Sequence, residues 1–182
     1  MPRAPALHAD AQGHHTGVYL FLHFMKGFSV SIYQRILVPI DGSGTASKGL
    51  DEAIRLAQLT GGKLKLIHVV DELALAISAG GYAGPIDGVL ESLRNSGRQI
   101  LAEASKRATA GGVESDVVLS DNLGISVTDV VLEEAQRWPA DLIVIGTHGR
   151  RGVRRAFLGS SAETILRASP CPVLLIRAQD EN

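Results

Sequence analysis

The run Gly146-Thr147-His148-Gly149 is followed, after a nine-residue spacer, by Gly159-Ser160-Ser161. These are residue types that hold phosphate. Glycine has no Cβ to keep an anion away from the backbone N–H groups. A helix starting at the serines would add free N–H donors and the positive end of its dipole. Two or three hydrogen bonds to a charged phosphate, at ~1.5–3 kcal/mol each, approach the roughly −8 kcal/mol of micromolar binding, before entropy costs are subtracted.

Two further segments end in residues able to join such a site. Pro39-Ile40-Asp41-Gly42-Ser43 carries an acid with two readings. Asp41 either accepts from ribose hydroxyls, as an acid does in dinucleotide folds, or serves as a turn or cap residue for a helix after Ser43. In His68-Val69-Val70-Asp71, His68 sits inside an apolar run and reads as a core or hydrogen-bonded histidine rather than a metal ligand or base. Ser160 and Glu163 have the S-x-x-E spacing of a capping box, which competes with phosphate for the Ser160 hydroxyl but leaves Ser161 available. Arg150, Arg151, Arg154 and Arg155 follow the first glycine pair and read either as phosphate neutralisers or as a solvated face. There is no Walker-type lysine and no acidic pair suited to Mg2+, so no catalytic residue is assigned.

The elements that must position these residues alternate. Short β-branched runs at 35–40, 63–70, 116–119, 141–145 and 172–177 predict five strands. Between them, helical periodicity covers the stretch from Ala46 to Ala57, then 89–110, 125–137 and 161–168. Ala46, Leu50, Ala53, Ile54 and Ala57 share one face of the first helix, and Val127, Val130, Val131 and Ala135 share one face of the third. The stretch 72–88, with four glycines and Pro85, reads as a long loop. Strands joined by crossover-length helices predict an α/β fold, a three-layer sandwich around a five-stranded parallel sheet. Periodicity leaves the strand order open. In such sheets ligands bind beyond the carboxyl ends of the strands, where the order reverses.

Composition narrows the function classes. The chain has 182 residues and a formal net charge of −1, which gives no electrostatic case for nucleic acid or an anionic membrane. The apolar run 18–25 is too short for the ~18–20 residues of a membrane helix. As a signal peptide it is preceded by only one basic residue, Arg3, and by the acidic Asp10, which argues against that reading. Residues 1–32 are therefore read as an extension outside the fold, with Met25 as an alternative start, 33–178 as the nucleotide-binding domain and 179–182 as a tail. Cys171, the only cysteine, excludes an intrachain disulfide. It reads as a small buried hydrophobe in a reducing, cytoplasmic setting. His8, His14 and His15 lack the partners a metal site needs.

The segments ILVPIDGS, LIHVVDE and GTHGRRGVRRAFLGSSAETILRASPCPVLLI together resemble the universal stress protein family over residues ~33–178. The G-x2-G-x9-G-[S/T] spacing of its ATP-binding branch is present as Gly146, Gly149, Gly159 and Ser160. The resemblance implies strand order 3-2-1-4-5 and an adenosine contact made by Pro39, Asp41 and Val69. It also implies ribose and phosphate contacts from Gly146, Gly149, Gly159, Ser160 and Ser161, with His148 near a phosphate. The implied cofactor is ATP, with or without Mg2+. The implied role is a nucleotide-responsive regulator or survival factor under stress, with slow ATP hydrolysis, or a dimeric interaction module with a vestigial pocket, as alternatives. The family also implies a homodimer through the last strand, 173–176, and protein partners of unknown identity.

Overall fold

The computed structural model describes residues 32–70, 86–121, 125–147 and 158–177. The chain divides between Ser31 and Ile32, and every described residue lies in the unit Ile32–Asn182. In chain order the elements are β1 (Arg35–Pro39), α1 (Gly44–Thr60), β2 (Lys63–Val69), α2 (Ile86–Ala110) and β3 (Ser115–Ser120). Then come α3 (Val127–Arg137), β4 (Leu142–Gly146), α4 (Ser160–Ala168) and β5 (Val173–Ile176).

All the strand pairs are parallel, and the five-stranded sheet has the order β3-β2-β1-β4-β5. The chain winds outward from β1 to β3, then returns to the other side of β1 with β4. The order therefore reverses between β1 and β4, where Ile36 is opposite Leu142 and Leu37 opposite Ile143.

The two-residue period of a strand divides the core into two layers. Ile36, Val38, Leu64, Leu66, Leu142 and Val144 face α1 and α2, meeting Leu50, Ala53, Ile54, Ala57, Leu101, Ala104 and Ala108. The intervening Leu37, Ile67 and Ile143 face α3 and α4, meeting Val130, Val131, Ala135 and Ile165. Strands buried on both faces explain why β1 and β4 read as unbroken apolar runs rather than alternating ones. Each fully buried Leu or Ile contributes about 1.5–3 kcal/mol.

Strand ends and the start of α4 differ from the sequence expectation by a residue, and the starts of α2 and α3 differ by more. Helix α2 begins at Ile86 and takes in Gly88, which the glycine-rich pattern assigns to the loop. A single glycine costs about 1 kcal/mol in a helix, which a long helix docked on the sheet absorbs. The rest of the expected loop, 72–85, lies outside the described residues. Helix α3 begins at Val127 rather than at 125, because the Ser126 hydroxyl accepts from Asp129 N–H at 3.1 Å and caps it there. Among the described residues, no helix is long and apolar enough to cross a membrane.

Candidate functional site at the strand switch point

At the end of β1 the chain leaves the sheet through a tight turn. The Asp41 Oδ1 accepts from Ser43 N–H at 2.9 Å, an Asx turn. Gly42 between them has φ 83°, in the left-handed region that glycine enters without a Cβ penalty. Ser43 then caps α1, its Oγ accepting from Ala46 N–H at 3.1 Å. Of the two readings of Asp41, the turn role is therefore observed, while the cap itself is Ser43. Pro39 and Val69 are half-buried at the ends of adjacent strands. Pro39 is in register with Ile67, two residues before Val69, so the two share one face of the sheet at its rim.

At the end of β4, Gly146 is in register with Ile176, and Thr147 N–H donates to Ile176 O at 2.8 Å. Thr147 is buried, and its carbonyl accepts from Gly159 N–H at 2.9 Å. This bond brings the second half of the glycine motif back to the strand end from which the first half leaves. His148 and Gly149 lie outside the described residues, as do the four arginines.

Gly159 is the N-cap of α4, and among the described residues no side chain caps that helix end. The capping box read from Ser160 and Glu163 is not formed. Glu163 N–H donates to Gly159 O at 2.9 Å as the first helical bond, so the helix begins at Ser160, one residue too early for that box. Glu163 instead receives Arg167 Nη2–H at 3.0 Å, one turn along an exposed face. Ser160 and Ser161 are exposed in the first turn of α4, and Ala162 beneath them is buried.

Gly146 joins the two halves of the site. A Cβ there would lie 2.9 Å from Thr45 Cγ2 and 3.1 Å from the Thr45 carbonyl carbon. The first turn of α1 therefore rests directly on the end of β4. The Asp41–Ser43 turn and the Thr147–Gly159 junction follow the carboxyl ends of the adjacent strands β1 and β4, and α1 and α4 start there. Pro39, Asp41, Val69, Gly146, Gly159, Ser160 and Ser161 all lie at the rim formed by the strand ends and these helix starts.

Other titratable groups have structural settings. His68 is buried, with Nδ1 2.6 Å from Ile40 O, a hydrogen-bonded core histidine. Cys171 is half-buried rather than fully enclosed, its Sγ 3.8 Å from Ser169 Oγ. Burial pushes its thiol above the ordinary value. Among the described residues, no group of three His, Cys, Asp or Glu side chains is placed to hold a metal ion.

Known proteins resemble this chain in sequence and in fold over about four-fifths of its length or more. Universal stress protein MJ0531 from Methanocaldococcus jannaschii is 31% identical over 164 residues, 87% of this chain and 91% of its own length. Universal stress protein YxiE from Bacillus subtilis is 30% identical, covering 80% of this chain and all of its own. Among solved structures, a universal stress protein from Burkholderia pseudomallei superposes with TM-score 0.64 at 34% identity, over 81% of this chain and 98% of its own. A universal stress protein in complex with cAMP superposes with TM-score 0.57 at 26% identity, over 81% and 98%. One from Archaeoglobus fulgidus in complex with dAMP gives 0.56 at 25%, over 80% and 98%. The family's own pattern matches residues 32–177, from just before β1 to just after β5, so that the chain belongs to the universal stress protein family.

Proposed function

We propose that this protein binds ATP at the β1/β4 switch point and acts as a nucleotide-responsive regulator or survival factor under stress. The observation that carries the reading is the Gly159 N–H to Thr147 O bond, which sets an uncapped helix start beside the end of β4. Exposed first-turn serines and N–H groups at a helix N-terminus suit a phosphate. The cAMP and dAMP complexes of related proteins support an adenine nucleotide in this fold. Pro39 and Val69 are given the adenosine end, Asp41 the ribose, and Gly146, Gly149, Gly159, Ser160 and Ser161 the ribose and phosphates, with His148 near a phosphate. Mg2+ would enter with the triphosphate, held by phosphate oxygens and water rather than by a protein cage.

The reading gives no residue a catalytic role. One Asp41 oxygen is already committed to the Ser43 amide. Strand β5 forms a sheet edge, with Val173–Ile176 partly buried. A second copy pairing there would cover an apolar edge that is otherwise prone to unwanted association. The homodimer belongs to the same proposal.

Purified protein should release adenine nucleotide on acid denaturation, detected by chromatography and mass spectrometry. Titration calorimetry of nucleotide-free protein with ATP should give a roughly micromolar Kd. Tight binding of AMP or cAMP with no response to ATP would move the assignment to a monophosphate. No co-purified nucleotide and no binding of any of these ligands would reject it.

A further inference from the structure

The β1–β2 ladder ends by changing partners. Ile40 N–H donates to Ile67 O at 2.8 Å, one residue beyond the end of β1. In a regular parallel ladder the Ile40 carbonyl would next accept from the Val69 backbone. Here the His68 ring meets it, with Nδ1 2.6 Å from Ile40 O and the residue only 5% exposed. A carbonyl oxygen only accepts, so Nδ1 carries the proton of this contact.

Helix α2 keeps the ring in place. A Cβ on Gly97 would lie 2.7 Å from His68 Cδ2, 3.2 Å from His68 Nε2 and 2.7 Å from Leu119 Cδ1. A glycine inside a helix weakens it, and this close approach is what the glycine permits. The residue after the held carbonyl is Asp41, whose carboxylate makes the turn that leads to the Ser43 cap. The His68 ring therefore sits at the point where the backbone leaves the sheet for the site.

We propose that His68 is a positioning residue for the nucleotide site: its Nδ1–H holds the Ile40 carbonyl and so sets Asp41 and the start of α1, with Gly97 keeping the ring in place. The inference rests on the nucleotide reading of the switch point, but its test separates the two. Long-range ¹⁵N–¹H NMR of the wild-type protein should show His68 protonated at Nδ1. A neutral Nε2–H tautomer would overturn the proposal, whatever the variants do.

Three variants then locate the donor. An asparagine amide nitrogen falls close to the position of Nδ1, and a glutamine amide nitrogen close to Nε2. His68→Leu and His68→Gln should lose about tenfold or more in ATP affinity, while His68→Asn stays within about threefold of wild type. Hydrogen exchange at the Ser43 amide should speed up in the first two and not in the third. Equal loss in all three would reduce His68 to a packing residue and overturn the proposal. Unchanged affinity and unchanged Ser43 exchange in His68→Leu would do the same. If the wild type binds no adenine nucleotide, the functional reading fails, and the Ser43 exchange and the tautomer still decide whether His68 holds the turn.

Discussion

Replacing Glu134 with alanine is expected to destabilise the fold by about 3 kcal/mol, the lower end of the cost of breaking a buried ion pair. The Glu134 side chain is 4% exposed, and its Oε1 accepts from Lys65 Nζ at 2.9 Å. Arg137 holds the other carboxylate oxygen. The Lys65 ammonium also lies 4.9 Å from the centre of the Trp138 ring. Removing the carboxylate leaves Lys65, 15% exposed, without its anion between β2 and α3. Arg137 is 73% exposed and can turn to water, so little of the cost falls on it. The Trp138 ring still offsets part of the Lys65 charge, by about 0.5–1 kcal/mol. Those two reliefs place the estimate at the low end. Urea unfolding of Glu134→Ala, and of Glu134→Leu combined with Lys65→Met, separates the pair from its setting. The double replacement should recover most of the loss, because well-packed apolar residues often match or exceed a buried pair. A loss below about 1 kcal/mol in Glu134→Ala would show that the pair behaves as a surface one.

The same carboxylate sets a pH dependence. Burial works against its charge, but the hydrogen bonds from Lys65 and Arg137, with their charges, outweigh burial and hold its pKa below the ordinary 4.5. A depressed folded-state pKa means that the unfolded chain binds the proton more readily. The stabilisation is therefore complete above about pH 4.5 and is lost as pH falls through the lower, folded-state value. Melting temperatures between pH 7 and 3 should fall less steeply for Glu134→Gln than for wild type.

Glu134 also shows where the sequence stops being legible. It lies three residues after Val131 and four after Val130, on the buried stripe of α3 that periodicity identified. A charged residue on that stripe reads as solvent-facing, because its partner is 69 positions away and leaves no local trace. The hold of His68 on Ile40 and the packing of Gly97 on His68 were hidden for the same reason. Elements, layers and strand ends were legible because β-branched runs and helical spacing are local signals. The strand order rested on a resemblance carried by a few motifs. The S-x-x-E spacing at Ser160 misled by one residue: the true N-cap, Gly159, has no side chain to reveal itself. What the glycine spacing could not convey was the division of labour within it. Gly146 is set against the first turn of α1, whereas Gly159 ties α4 to the end of β4.

That division makes Gly146→Val the sharpest probe of the site. Valine suits a strand, so the substitution carries no backbone penalty of its own in β4. Its cost comes from contact. A Cβ alone would come within 2.9 Å of Thr45 Cγ2 and 3.1 Å of its backbone, and the branched methyls extend further. Backbone cannot give way as a flexible side-chain end can, so α1 must shift off β4. Overpacking of this kind costs about 1–3 kcal/mol of stability. The shift moves the Asp41–Ser43 turn relative to the Thr147–Gly159 junction, and a ligand that spans both loses its geometry. ATP affinity should fall by about 30-fold or more, roughly 2 kcal/mol. On the proposed ATP reading, ATP should raise the melting temperature of the wild type, and that rise should shrink accordingly in Gly146→Val. Gly49→Ala is the matched control on the opposing helix. Among the described residues its added Cβ meets only Gly146 N, at an ordinary 3.8 Å, and alanine favours the helix by up to about 1 kcal/mol. It should keep the affinity and raise the stability. A Gly146→Val protein that binds ATP as wild type does would mean that α1 and β4 need not meet to hold the ligand, and the β1/β4 switch point would no longer be its place.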